Sequence, residues 1–171
     1  MNRHLLLIGF MGTGKTSVSE RLHQMLGTGQ SDTDRMIEER EGMSISRIFE
    51  EKGEAYFRNA ETRLLGELTA MKPMVISCGG GMALRPGNAA LMKAAGTVVL
   101  LTARPQTILE RLKDDDTRPL LAGRKDADYI RTLYESRRPA YEAAADIQIS
   151  TDGRSIEDIC QEIAEKIKKS C

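Results

Sequence analysis

Leu5-Leu6-Leu7-Ile8 runs straight into Gly9-Phe10-Met11-Gly12-Thr13-Gly14-Lys15-Thr16, and this junction decides how the chain is read. Four consecutive apolar residues suit a strand buried on both faces. The Gly-x-x-x-x-Gly-Lys-Thr pattern that follows is a phosphate-binding loop. Its glycines allow a tight turn in which successive N–H groups converge on phosphate oxygens, and the helix behind it presents its positive dipole end. A chance match of this pattern is on the order of 10⁻⁵ per position. Gly12, Thr13, Gly14, Lys15, Thr16 and Ser17 are therefore assigned to a nucleotide's phosphates, with Lys15 reaching the β- and γ-phosphates and the Thr16 hydroxyl available to Mg²⁺. The loop does not say which acceptor takes the terminal phosphate.

Outward from the loop, short apolar runs alternate with amphipathic segments. Leu5–Ile8, Met74–Cys78, Thr97–Leu101 and the weaker Ile147–Ser150 read as strands. Helical spacing marks Val18, Leu22, Met25 and Leu26, and segments near 44–52, 54–71, 106–113, 127–144 and 156–168. Strands separated by helices imply crossovers, hence a parallel sheet with both faces covered, an α/β fold. One strand fits poorly: Gly27-Thr28-Gly29-Gln30-Ser31 is polar where a buried strand should be apolar, and is kept as a short, weak one. No linker divides the 171 residues, so a single domain spanning 1–171 is expected.

Composition narrows the partners. Lys plus Arg equals Asp plus Glu at 25 each, which leaves no basic footprint for nucleic acid. Three cysteines without C-x-x-C spacing, and no apolar stretch of membrane-spanning length, point to a soluble cytoplasmic protein. His4 and His23 belong to no motif.

Two further stretches bear on the acceptor. In Ser31-Asp32-Thr33-Asp34 an extended backbone would point both carboxylates the same way, roughly 6–7 Å apart. One would then lie near Mg²⁺ (Asp32) and one near an acceptor hydroxyl (Asp34). The same four residues, followed by Met36 and Ile37, equally make a helix N-cap. Gly79-Gly80-Gly81 follows a strand, where ligands lie in open α/β sheets and where backbone without side chains admits a substrate closely.

Taken together, GFMGTGKT, SDTD, the SIxxIFxxxGExxFRxxE pattern of Ser44–Glu61, GGG, LKDDDTRPLL and RRPAY (Arg137–Tyr141) resemble shikimate kinases over nearly the whole chain. The resemblance implies transfer of the ATP γ-phosphate to the 3-hydroxyl of shikimate, in aromatic amino-acid biosynthesis. It also implies a nucleoside-monophosphate-kinase-like P-loop fold, three-layer α/β/α, with a five-stranded parallel sheet of order 2-3-1-4-5. A helical substrate-binding region falls at about 35–60, a lid at about 112–125, and the family is monomeric.

Carried over by position, Asp34 contacts shikimate hydroxyls and acts as base, Arg58 and Arg137 hold the carboxylate, and Gly79, Gly80 and Gly81 line the site. Arg118 is the lid arginine, Arg111 flanks the adenine and Glu61 supports Arg58. Arg137 rather than its neighbour Arg138 is selected because it stands four before Tyr141. Arg154 either packs on the base or sits in an exposed turn with Ser155 as N-cap. Asp114, Asp115 and Asp116 read as a solvated face at the lid hinge, and Arg124 lies on the lid.

The chemistry agrees with that assignment. Planar guanidinium groups suit a carboxylate, an aspartate suits hydroxyls, and phosphoryl transfer needs positioning and charge cancellation above all. A gluconate kinase would share the loop without this combination of SDTD, FR and GGG. A nucleoside-monophosphate kinase would need a second base pocket. A GTPase-like switch would carry N-K-x-D, which does not occur, and retention of Lys15, Asp34, Arg58 and Arg118 speaks against an inactive scaffold.

Overall fold

The computed structural model describes residues 2–113 and 127–169. Five strands form one parallel sheet: β1 (His4–Ile8), β2 (Gly29–Asp32), β3 (Met74–Ser77), β4 (Gly96–Thr102) and β5 (Ile147–Ser150). Their order is β2-β3-β1-β4-β5, as the resemblance implied. The central strand β1 pairs on both sides, with Leu6 beside Ile76 of β3 and beside Val98 of β4. Its side chains alternate between two cores. Leu6 and Ile8 join Ile76, Val98 and Leu100 on one face, while Leu5 and Leu7 join Val75, Val99 and Leu101 on the other.

The second face is closed by α1 (Lys15–Leu26) through Val18 and Leu22, and by α8 (Ile156–Lys169) through Ile159 and Ile163. The first face carries α4 (Glu54–Leu68), α5 (Asn88–Ala95), α6 (Pro105–Leu112) and α7 (Ala127–Ala144), with Leu64, Met92, Ile108 and Ile130 buried against it. Fully burying one such side chain contributes about 1.5–3 kcal/mol. Buried His4 fastens the base of this face. Its Nδ1 accepts from Met74 N at 3.2 Å, which leaves Nε2–H to donate to Leu68 O at 2.7 Å.

β2 explains the polar stretch. It forms the edge of the sheet, with Gln30 beside Val75 and its residues exposed or half-buried, so no apolar run is needed. Two short helices follow, α2 (Thr33–Glu41) and α3 (Ile45–Lys52). The extended reading of Asp34 is corrected here. Asp34 stands in the first turn of α2, and Asp32 is the N-cap, its Oδ1 accepting from Asp34 N at 2.9 Å and Arg35 N at 3.4 Å. α5 is a helix the sequence pattern did not suggest, because Asn-Ala-Ala-Leu-Met-Lys-Ala-Ala carries only a faint apolar stripe.

Candidate active site

The phosphate loop bridges β1 and α1. Gly9 has φ of +144° and a Cβ there would overlap the Leu101 carbonyl of β4, so only glycine lets the chain leave β1 at this angle. Thr13 closes the turn from within, its Oγ1 donating to Phe10 O at 2.8 Å. Lys15 folds back over the loop, donating through Nζ to Gly9 O at 2.8 Å and Phe10 O at 3.1 Å. Thr16 and Ser17 are exposed in the first turn of α1.

The two arginines expected beside the adenine are both engaged by protein. Arg111 of α6 donates to Gly12 O at 3.0 Å and to Thr151 Oγ1 and O at 3.1 and 3.2 Å, which ties the loop to the end of β5. Arg154 donates to Ser150 O and Asp158 O and pairs with Glu162 at 2.5 Å, so its guanidinium lies along α8. Ser155 caps that helix, accepting from Asp158 N at 3.1 Å. Arg118, expected to be the lid arginine, Arg124 and the Asp114–Asp116 run lie outside the described residues.

The residues fit Mg²⁺ in modest number. Among the described residues no group of three or more His, Cys, Asp or Glu is placed to hold a metal. The Thr16 hydroxyl and Asp32, whose Oδ2 takes no part in the α2 cap, supply hard oxygen ligands. An ion held by one or two protein oxygens and by substrate phosphates is the usual Mg²⁺ arrangement.

Across the sheet's carboxyl end, the three glycines are fixed one by one. Gly79 N donates to Thr33 Oγ1 at 2.8 Å, Gly80 O accepts from Tyr141 Oη at 2.6 Å, and Gly81 lies under the Arg58 guanidinium. A Cβ on Gly79 would come within 2.7 Å of Asp34 Oδ1 and 3.4 Å of Glu61 Oε1; one on Gly81 would lie 2.7 Å from Arg58 Cζ. At Gly79 and Gly81 the missing side chain leaves room for Asp34 and Arg58, while Gly80 has only ordinary contacts.

Arg58 is gripped by Glu61, one turn further along α4, with Nη1 to Oε2 at 2.9 Å; the Glu61 side chain is only 1% exposed. Arg58 also reaches Glu54 at 3.4 Å and lies over the Phe57 ring at 5.2 Å. Arg137, half-buried on α7, sits 5.6 Å from the Phe10 ring, whereas Arg138 is exposed and pairs with Glu135 at 3.1 Å. Geometry thus separates the two arginines as the spacing did.

Burial leaves the two carboxylates short of partners. Asp34 Oδ1 and Glu61 Oε1 are buried without a hydrogen bond. Asp34 is pushed up to about 6 by burial and by neighbouring Asp32, against the pull of Lys15 and Arg58. Glu61 is pushed up to about 7 by burial, against the pull of Arg58. Cys78 beneath them is buried and its thiol is pushed far up by desolvation, which makes it unreactive as a thiolate.

Sequence reasoning used Tyr141 only as a spacing marker and passed over Thr33 and Phe10. The first two pin the glycines, and the third carries Arg137 on its ring. Thr33 was visible as the residue between two aspartates, but nothing local marks it as a hydrogen-bond partner of a distant glycine.

The Shikimate kinase family model matches residues 11–168. The chain belongs to the shikimate kinase family. The shikimate kinase of Dehalococcoides mccartyi (strain 195) is 44% identical over 169 residues, which cover 99% of this chain and 96% of that protein. A solved shikimate kinase from Acinetobacter baumannii, in complex with shikimate, superposes with a TM-score of 0.89 at 36% identity, covering 98% of this chain and 94% of that one. A gluconokinase from Sinorhizobium meliloti reaches only 0.58 at 17% identity, over 99% of this chain and 97% of that one; it shares the fold alone. As a shikimate kinase the protein phosphorylates shikimate with ATP and Mg²⁺, in aromatic biosynthesis.

Proposed function

We propose that the transferred phosphate goes to the 3-hydroxyl of shikimate, and that Asp34 takes the proton from that hydroxyl. One observation carries this reading. The Asp34 carboxylate stands against Gly79 with its buried Oδ1 unpartnered, within the field of both Lys15 and Arg58, whereas its neighbour Glu61 is committed through its other oxygen to Arg58. A carboxylate raised to about 6 is ionised at neutral pH and still basic enough to accept a proton.

In the reading that follows, Arg58 and Arg137 receive the substrate carboxylate, while Gly79, Gly80 and Gly81 let the ring lie against backbone. The new bond forms between the 3-oxygen and the γ-phosphorus as the bond to the β-phosphate bridging oxygen breaks; the hydroxyl proton passes to Asp34 Oδ1. Lys15 leaves its loop carbonyls for the β- and γ-oxygens and follows the charge as it shifts toward the leaving ADP. Thr16 and Asp32 would hold Mg²⁺, which would supply further charge neutralisation of the phosphates. The family resemblance gives Arg118, outside the described residues, a share in that charge neutralisation. Arg111 and Arg154 border the adenine, each by exchanging a protein contact for the base.

The protein acts as a single-domain monomer in the cytoplasm, without nucleic-acid or membrane partners. Balanced charge supports the first exclusion, and among the described residues no helix is long and apolar enough to cross a membrane.

The test is ADP release with Mg²⁺-ATP, with and without shikimate, gluconate or AMP. Stimulation by shikimate alone is expected, with phosphate located on the 3-oxygen by NMR. Equal stimulation by gluconate would reassign the acceptor half of the site.

A further inference from the structure

Three consecutive glycines have no side chains to hold them, so the shape of the run from Gly79 to Gly81 is imposed from outside. Gly79 N donates to Thr33 Oγ1 at 2.8 Å, and Gly79 O accepts from Met82 N at 3.1 Å. Gly81 O accepts from Leu84 N, also at 3.1 Å. The peptide between Gly80 and Gly81 is held differently, by a side chain of α7. Its carbonyl accepts from Tyr141 Oη at 2.6 Å.

Tyr141 stands one turn beyond Arg137 on the same face of α7 and is 1% exposed. A carbonyl can only accept, so the phenol supplies the proton. Burial pushes the Tyr141 phenol above its ordinary range, which keeps that proton on Oη at neutral pH. A buried phenol needs a partner, and here the partner is the backbone that lines the acceptor site.

That bond also fixes the other end of the peptide. Among the described residues no peptide bond is cis, and in a planar trans peptide the N–H and C=O point opposite ways. Holding Gly80 O toward α7 therefore turns Gly81 N–H away from α7. Among the described residues neither Gly80 N–H nor Gly81 N–H donates to another protein group, and both residues are half-buried. The Arg58 guanidinium lies beside Gly81, and the unpartnered Asp34 Oδ1 beside Gly79. An amide without an acceptor, next to these two groups, suits an oxygen of a polyhydroxylated acid.

We propose that Tyr141 is a positioning residue of the acceptor site: by holding Gly80 O, its hydroxyl sets the plane of the Gly80–Gly81 peptide and aims Gly81 N–H at an oxygen of the bound substrate. The proposal rests on the reading that the glycine run lines the shikimate site. Without the hydroxyl the peptide is free to rotate, because glycine on both sides lets φ and ψ change at little steric cost. Shikimate then meets an amide in several orientations, while the phosphate loop is untouched.

The experiment compares Tyr141→Phe, which removes one oxygen, with Tyr141→4-aminophenylalanine, whose N–H can donate from the same place. Tyr141→Phe should raise shikimate KM about five- to tenfold, the effect of one lost hydrogen bond, with kcat and ATP KM within about twofold. Tyr141→4-aminophenylalanine should return shikimate KM to within about threefold of the parent. In amide NMR spectra of protein labelled at glycine nitrogen, shikimate should shift the Gly81 signal strongly in the parent and weakly in Tyr141→Phe.

A lower melting temperature in Tyr141→Phe with unchanged shikimate KM is what a purely structural bond would give, and it overturns the proposal. So does an equal rise in ATP KM, or failure of 4-aminophenylalanine to restore shikimate KM. If Tyr141→Phe does not fold, Tyr141→4-aminophenylalanine must by itself keep both the shikimate KM and the Gly81 shift of the parent. The spectra separate the two layers. If shikimate shifts neither Gly80 nor Gly81 in the parent, the glycine-run reading falls and this proposal with it. If it shifts Gly81 equally in the parent and in Tyr141→Phe, only the proposal falls.

Discussion

The two halves of the site are built differently. The phosphate half is one continuous stretch, Gly9 to Thr16, braced largely from within by two side chains, Thr13 on Phe10 and Lys15 on Gly9 and Phe10. The acceptor half is assembled from α2, α4, the glycine run and α7, and it contains buried polar atoms without partners. A half that braces itself keeps its shape before ligand arrives. A half with orphaned charges is completed by the substrate, because shikimate brings the hydroxyls and carboxylate that those groups lack. Positional selectivity should therefore lie in the acceptor half, and nucleotide affinity in the loop.

Substitutions can break that division. The largest effect is expected from Asp34→Asn, which should lower kcat on the order of 10²–10⁴-fold while ATP affinity, measured by titration, stays within about twofold. Retained turnover would remove Asp34 as base, and lost ATP binding would show that the halves are not separable. Lys15→Met should come next, lowering kcat by about 10²–10³-fold and raising ATP KM, with shikimate affinity measured without nucleotide unchanged. Arg58→Ala should do the converse, raising shikimate KM by about 10- to 100-fold with ATP KM steady.

The smallest effect sharpens the contrast by pH alone. Both acceptor carboxylates are raised, to about 6 and about 7, so both take up protons in the folded enzyme as pH falls from 8 to 5. Ionised forms are the working ones, so kcat/KM for shikimate should decline with falling pH across that window, as a property of the pair rather than of either residue. ATP affinity should follow a different curve. A shikimate profile flat down to pH 5 would count against both groups.

The same contrast explains what could be read from the sequence. The loop was legible because its chemistry is local: backbone turn, lysine and hydroxyl occupy consecutive positions. The sheet order came through the family resemblance, and alternation of apolar runs with helical segments supplied the α/β class. Asp32 and Asp34 were found, but their geometry was not, since the same four residues serve a strand end and a helix cap, and the cap prevailed once β2 stopped at Asp32. Arg58 and Glu61 stand three apart on one helix face, a spacing that sequence can show. Thr33 on Gly79 and Tyr141 on Gly80 depend on how distant elements meet, and no local pattern encodes them.

β2 has a bearing beyond catalysis. Four residues, Gly-Gln-Ser-Asp, form one margin of the sheet, and the acid that ends them is already committed to capping α2. An unpaired margin is a template on which another chain can add a strand, and long apolar margins seed aggregates. This one is short, hydrophilic and closed off by a helix cap. The departure from strand-like composition that made β2 hard to read thus gives a crowded solution little to nucleate upon.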